Sequence, residues 1–228
     1  MKVTESRYKN RQLHIEDYLQ MVSAEQKEYA EVFDYSKITE KSGVITDYWT
    51  NNLLDLILRK DNLNNAYKQV KKNKGKGGID GMQVDELLPF LRENQDTLIR
   101  KIREGKYKPN PVRRVEIPKE TEGEFRKLGV PTVVDRVIQQ AIAQELSPVY
   151  EKQFSENSFG FRPKRGAHDA LRQCQKNVND GYVYVVDMDL EKFFDTVCQS
   201  KLIEVLSRTI KDGRVISLIH KYLSLIHI

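Results

Sequence analysis

The spacing of hydrophobic residues along the chain changes near residue 107, where a helical pattern gives way to an alternating one. Before that point, apolar residues recur at helical intervals and predict helices over residues 10–34, 49–70 and 84–103. The second of these helices is predicted to be interrupted at Asp61–Asn62. The first part of the chain is therefore expected to be helical.

A β-hairpin is predicted after this change. Residues 112–118 alternate between apolar and charged side chains and end at a proline, which is typical of a strand. Phe125 to Val130 predicts the second strand, and Gly123 lies in the connecting turn. The hairpin is expected to carry charged residues on both arms.

The helical pattern returns after the hairpin and is broken once. It predicts helices over residues 132–148, 165–179, 202–206 and 215–225. Between the second and third of these, residues 182–186 are all aromatic or β-branched, which predicts a buried strand. The mixture of helices and separate strands indicates an α+β fold.

Composition is typical of a folded globular protein. The chain has 228 residues, 39% of them hydrophobic and 31% charged, a mean hydropathy of -0.61, and no apolar run long enough to span a membrane. Because no apolar export signal follows Met1, we expect a cytoplasmic protein whose Cys174 and Cys198 are reduced thiols. The apolar pattern still continues at Ile228, so we expect the sequence to be part of a longer reading frame.

Positive charge is concentrated after the first 50 residues. Those 50 residues contain 7 basic and 9 acidic residues, which leaves 31 basic and 24 acidic residues in the remainder. Several basic clusters lie beside aromatic residues, which favours a polyanionic partner, although a solvated basic surface would give the same composition. Residues 71–78 are both basic and rich in glycine, which predicts a mobile loop whose main chain can approach a partner closely.

Carboxylates follow the predicted strand of residues 182–186. If that strand continues, its alternation places Asp187 and Asp189 on one face. Acids beside an apolar strand need a compensating cation or hydrogen bonds, and magnesium prefers such oxygen ligands. Acids that cap the turn after a strand are the alternative.

Several segments, in a fixed order along the chain, together resemble one known family. They are Lys76–Gly81 (KGGIDG), Tyr107–Lys119, Arg126–Gln140, Asn157–His168 with Phe154 before it, and Asp189–Asp195 (DLEKFFD). The chain resembles the reverse transcriptases of bacterial group II introns, also called intron-encoded maturases, over roughly residues 53–222. The resemblance implies right-hand polymerase fingers, made of helices and a β-hairpin, that lead into an incomplete palm.

The resemblance also implies a domain organisation and an activity. Residues 1–46 would be a helical extension, residues 47–180 the fingers region and residues 181–228 the start of the palm. The activity would be RNA-directed DNA polymerisation, with binding of intron RNA for splicing and mobility. Partners would be an RNA template with its primer, the group II intron RNA, deoxynucleoside triphosphates and a DNA target. The sequence does not predict an oligomeric state.

The resemblance assigns catalytic and nucleotide-binding roles residue by residue. Asp189 would be the catalytic metal ligand, and Leu190 would add its main-chain carbonyl. The metal would be magnesium, with manganese as an alternative. Lys119 and Arg126 would hold the triphosphate of the nucleotide. Phe194 would lie beneath the sugar and exclude a 2′ hydroxyl.

Residues of a proposed RNA surface follow from the same resemblance. Arg162 and Gly160 would contact the template backbone, and Arg113, Arg114 and Lys74 would contact template or intron RNA.

The sequence also departs from the family pattern. The family's second palm motif, a pair of aspartates after a tyrosine, is absent from these residues, and so are the thumb and the maturase domain. This chain alone is therefore expected to be inactive. A non-polymerising RNA-binding splicing module is the alternative function.

Overall fold

The computed structural model describes residues 52–118, 123, 125–190 and 193–225, and for Phe194 and Asp195 it describes the main chain only. The predicted helix over residues 10–34 lies outside the described residues. The described residues form two compact units. One comprises residues 148–189, and the other comprises the remainder. The functional division at residues 46 and 180 stays a prediction.

Helices make up most of the described chain. In chain order they are α1 (Leu53–Ile57), α2 (Lys60–Lys72), a 3-10 turn (Val84–Glu86) that leads into α3 (Leu87–Arg103), α4 (Val133–Glu151), α5 (Ala167–Asn179), α6 (Phe193–Thr196), α7 (Gln199–Thr209) and α8 (Gly213–Leu223). The sequence predicted α3, α4, α5, α7 and α8 to within a few residues. Helix α4 continues past Pro148, where it was expected to end.

The interruption between α1 and α2 lies at residues 58–59 rather than at Asp61–Asn62, so that prediction is wrong by about three residues. Asn62 is buried in the first turn of α2. Its side-chain amide donates to the carbonyl of Ile57 at 2.9 Å and to the carbonyl of Ala141 at 3.0 Å. Asn62 therefore satisfies a main-chain acceptor at the end of α1 and joins α1 to α4.

The hydrophobic core belongs to the larger unit. It is built from apolar side chains of α1, α2, α4 and α8, together with the start and end of α3. Asp212 connects two of these helices because its carboxylate accepts from the main-chain N–H of Arg214, at the start of α8, and from that of Leu54, in α1. The polar cap and the apolar core thus hold the same elements together.

The predicted hairpin is confirmed. Strands β1 (Arg113–Pro118) and β2 (Phe125–Val130) pair antiparallel, from Arg113 opposite Val130 to Pro118 opposite Phe125. Gly123, in the turn, has a φ of +83°, which glycine adopts without strain. Most side chains on both arms are exposed.

The buried strand predicted over residues 182–186 is not observed. These five residues have no regular secondary structure, and they are 70–94% exposed. A strand is stable when neighbouring strands pair with its main chain, and the described residues offer no strand beside this segment. The prediction of a buried strand is therefore wrong for this structure, and so is the shared face that it gave to Asp187 and Asp189.

Candidate functional site

The basic, glycine-rich segment after α2 is packed against its own chain, contrary to the prediction of a mobile loop. Gly77 and Gly78 are buried. The guanidinium of Arg113 donates through Nε to the carbonyl of Gly77 at 3.1 Å, and Arg136 donates through Nη2 to the carbonyl of Lys76 at 2.7 Å. The glycine main chain therefore contacts the hairpin and α4 of its own chain, and its approach to a binding partner stays a prediction.

Two arginines that were predicted to contact RNA are neighbours in β1 and have different surroundings. Arg113 is half-buried and bonded to the glycine segment, whereas the Arg114 side chain is exposed. Lys74, in the turn after α2, is exposed as well, with a φ of +47°. Of the three residues, Arg114 and Lys74 present positive charge to solvent.

Arg126, one of the two predicted triphosphate ligands, lies at the far end of the hairpin from Arg113. Arg126 is exposed on β2 and pairs with Ile117 on β1. Lys119 lies outside the described residues. The geometry therefore places the guanidinium of Arg126 on an exposed two-stranded arm, and such a group can bind a phosphate through two parallel N–H donors.

Arg162 lies inside the loop that carries it. Its side chain is 4% exposed and forms an ion pair with Glu151, with Nη2 and Oε1 2.6 Å apart. It also donates to the carbonyls of Ser155 at 2.6 Å and Ser158 at 2.9 Å. The hydrogen bond to Glu151 raises the pKa of Arg162 above its ordinary value. In this arrangement the guanidinium organises the loop.

Most other residues of this loop are exposed to solvent. One of them, Phe154, lies beneath the guanidinium of Arg162, with 5.4 Å between the central carbon of the guanidinium and the ring centroid. Gly160 is exposed, and a Cβ built there would meet no atom within 4 Å. The predicted RNA residues thus divide here into a buried guanidinium and an accessible main chain.

The predicted catalytic acid lies in the exposed segment that follows α5. Asp189 and Leu190 are both exposed and have no regular secondary structure. Phe194 lies in α6, and its side chain is outside the described residues. The roles of Asp189, Leu190 and Phe194 at a metal and a nucleotide stay predictions.

The donor set for a metal is incomplete in the described part of the chain. No group of three or more acidic, histidine or cysteine side chains has the arrangement of a metal site among those residues. A carboxylate at Asp189 and a carbonyl at Leu190 are hard oxygen donors of the kind that magnesium prefers, but magnesium takes about six ligands. These two donors alone do not fit the ion, so we derive no reaction step through it.

Sequence reasoning missed two residues that organise the hairpin region. Asp135 is fully buried, and Arg136 is half-buried with its pKa lowered by that burial, an effect that nearby Asp80 opposes. Both lie within the matched segment Arg126–Gln140, but neither was assigned a role. A polar residue on the apolar stripe of α4 was the available signal for Asp135.

Comparisons with known proteins identify a family. The model of the family described as reverse transcriptase (RNA-dependent DNA polymerase) matches residues 117–228. The group II intron-encoded protein LtrA of Lactococcus lactis is 33% identical over 187 residues, which are 82% of this chain and 31% of that protein. Protein YkfC of Escherichia coli is 35% identical over 182 residues, which are 77% of this chain and 48% of that protein.

A fungal protein shows the same partial overlap. The putative COX1/OXI3 intron 2 protein of Saccharomyces cerevisiae is 33% identical over 197 residues, which are 83% of this chain and 22% of that protein. The chain thus spans less than half the length of these relatives.

No helix in the described part of the chain has the length and hydrophobicity that crossing a bilayer requires. The matched domain and the relatives agree with the order of the motifs, and the chain belongs to the reverse transcriptase family, in which it is similar to group II intron-encoded proteins.

Proposed function

We propose that the chain forms the fingers and the beginning of the palm of an RNA-directed DNA polymerase encoded by a group II intron. The observation that carries this proposal is the exposed β1–β2 hairpin. It presents Arg126 to solvent, and its base is bonded through Arg113 to the glycine segment of residues 76–78. An arm with a fixed base and a cationic far end suits the binding of a nucleotide triphosphate.

The proposed division of roles follows from accessibility. Arg126, with Lys119 on the other arm, would bind the triphosphate, and Phe194 would exclude the 2′ hydroxyl of the sugar. Arg114, Lys74 and the main chain at Gly160 would contact phosphates of template or intron RNA. Arg162 would support that contact by shaping the loop, and Arg113 by fixing the hairpin.

A divalent metal belongs to the proposal only for the complete protein. When bound, magnesium, or manganese in its place, would supply positive charge beside the phosphate oxygens of the nucleotide. Asp189 and the carbonyl of Leu190 would supply part of its coordination. Among the described residues, no group of three or more acidic, histidine or cysteine side chains has the arrangement of a metal site.

Primer extension on an RNA template tests the proposal. The complete reading frame is assayed with magnesium as the unsubstituted protein, as Asp189→Asn and as Asp180→Asn, a matched control that removes an exposed carboxylate after α5. We expect extension by the unsubstituted protein and the control, and its loss in Asp189→Asn with an unchanged circular dichroism spectrum. Extension that survives in Asp189→Asn would assign the metal ligand to another acid, such as Asp187.

The same assay decides the alternative function. If no variant extends a primer but the protein binds intron RNA with a salt-sensitive affinity, the protein is a splicing module that does not polymerise. The exposed basic residues Lys74 and Arg114 would serve either function.

A further inference from the structure

Asp135 is a fully buried carboxylate in the first turn of α4, and four donors surround it. Oδ1 accepts from the hydroxyl of Tyr107 at 2.6 Å and from that of Tyr222 at 3.1 Å. Oδ2 accepts from the hydroxyl of Thr132 at 2.6 Å and from the main-chain N–H of Asn110 at 3.1 Å. Each oxygen therefore has two partners, which satisfies a buried acceptor.

These four donors come from three segments of the chain: the residues before β1, the residue Thr132 after β2, and α8. Tyr107 and Asn110 precede β1, and Thr132 follows β2, so the carboxylate holds both ends of the hairpin. Tyr222 lies near the end of α8. One side chain thus fixes the base of the hairpin to α4 and to α8.

An ionised carboxylate suits this position because it accepts hydrogen bonds on both oxygens and donates none. Burial and the negative charge of Asp135 both raise the pKa of Tyr107 above its ordinary value. Burial is also the main cause that raises the pKa of Tyr222, with Tyr107 and Asp135 contributing. Both hydroxyls therefore stay protonated and remain donors at neutral pH.

We propose that Asp135 is a positioning residue that fixes the direction of the β1–β2 hairpin, and with it Arg126, relative to α4 and α8. A strand pair on its own keeps its register but can swing about its base. Four bonds to one buried acceptor remove that freedom. The effect on nucleotide binding rests on the proposed function, whereas the effect on the hairpin does not.

A distance measurement tests the structural part in the full chain. Spin labels are placed at Lys127→Cys on β2 and Ala143→Cys on α4, both exposed positions, in protein whose Cys174 and Cys198 are replaced by serine. We expect a narrow distance distribution that broadens in Tyr107→Phe and in Tyr222→Phe, because each loses one bond to Asp135. Tyr67→Phe is the matched control, since Tyr67 packs on the same core but is not a donor to Asp135.

The outcomes of this measurement are distinct. Unchanged distributions in Tyr107→Phe and Tyr222→Phe would overturn the proposal, and so would equal broadening in Tyr67→Phe. If Tyr107→Phe does not fold, Tyr222→Phe decides alone, because its bond to Asp135 is the longer of the two tyrosine bonds.

Steady-state primer extension tests the functional part. Tyr107→Phe is expected to raise the KM for deoxynucleoside triphosphates about threefold or more, while kcat changes by less than about twofold, because a misdirected Arg126 weakens binding of the nucleotide. A fall in kcat with an unchanged KM would contradict the positioning role. If the unsubstituted protein does not extend a primer, the proposed function fails, and the distance measurement alone decides the role of Asp135.

Discussion

Gly78 is the position at which a single added methyl group should disturb the fold most clearly. It is buried against Pro131 and Thr132, the two residues that precede α4. A Cβ at this position would lie 2.6 Å from Cα and 2.7 Å from N of Thr132, and 2.9 Å from the carbonyl oxygen of Pro131. All three are main-chain atoms, so no side chain can rotate away to make room.

The free energy of unfolding lost in Gly78→Ala follows from this overlap. Ordinary contacts of a Cβ begin at 3.4 Å. One of the two main-chain segments, around Gly78 or around Thr132, must therefore move by about 0.8 Å in a close-packed interior. Overpacking of this kind costs about 1–3 kcal/mol, and a main-chain contact belongs at the upper end. The neighbouring bonds from Arg113 and Arg136 to Gly77 and Lys76 are coupled to the same movement.

We therefore expect Gly78→Ala to lose about 3 kcal/mol of unfolding free energy, which lowers the Tm of a protein of this size by about 6–12 °C. Thermal unfolding followed by circular dichroism measures this change. Gly213→Ala is the matched control, because Gly213 belongs to the same unit, opens α8 and has no atom within 4 Å of the added Cβ. A Tm of Gly78→Ala equal to that of the control would refute the packing argument.

Four further substitutions test separate parts of the structure. Arg126→Ala should raise the KM for deoxynucleoside triphosphates about tenfold in primer extension; an equal rise in Lys127→Ala, its exposed neighbour, would point to general charge instead. Arg113→Ala should lower the Tm because it removes the bond to Gly77, whereas Arg114→Ala should weaken RNA binding and reduce the salt slope by about one; the reverse pattern would contradict the assignment. Burial acts to raise the pKa of Asp212, but its hydrogen bonds from Arg214 and Leu54 outweigh this effect and lower that pKa below its ordinary value of 3.8. Asp212 should therefore contribute to the free energy of unfolding above pH 3.8, and this contribution should be lost as the pH falls further. Urea unfolding measures this change, which should be missing in Asp212→Asn.

Elements set by local sequence were predicted well. The hairpin follows from the alternation of residues 112–118, from Gly123 in its turn and from Pro118 at its end, all within a few residues of one another. The break after α1 was misplaced because the polar pair Asp61–Asn62 looked like an interruption. Asn62 instead bonds to Ala141, which is 79 residues away in the sequence. A contact across that separation leaves no local pattern.

The roles of basic residues were harder to predict than their positions. Arg113 and Arg162 were both expected to contact RNA, and in the structure each donates to carbonyls of its own chain. A cation beside aromatic and glycine residues suits either a phosphate or a main-chain carbonyl, because both are oxygen acceptors. Burial separates the two cases, and burial depends on packing that the charge pattern does not encode.

Buried polar side chains explain how loops keep a fixed direction in this chain. Asn62, Asp135, Arg162 and Asp212 are all buried, and each forms a hydrogen bond with at least one main-chain group. Such groups cost free energy unless they are paired, so the pairing selects one arrangement of the segments that they join. Of the exposed residues that we propose for nucleotide and RNA binding, Arg114 and Arg126 lie on the hairpin held by Asp135, and Gly160 lies in the loop held by Arg162. Their geometry therefore depends on side chains that touch neither ligand, which is why substitutions in the interior should alter binding constants before they unfold the protein.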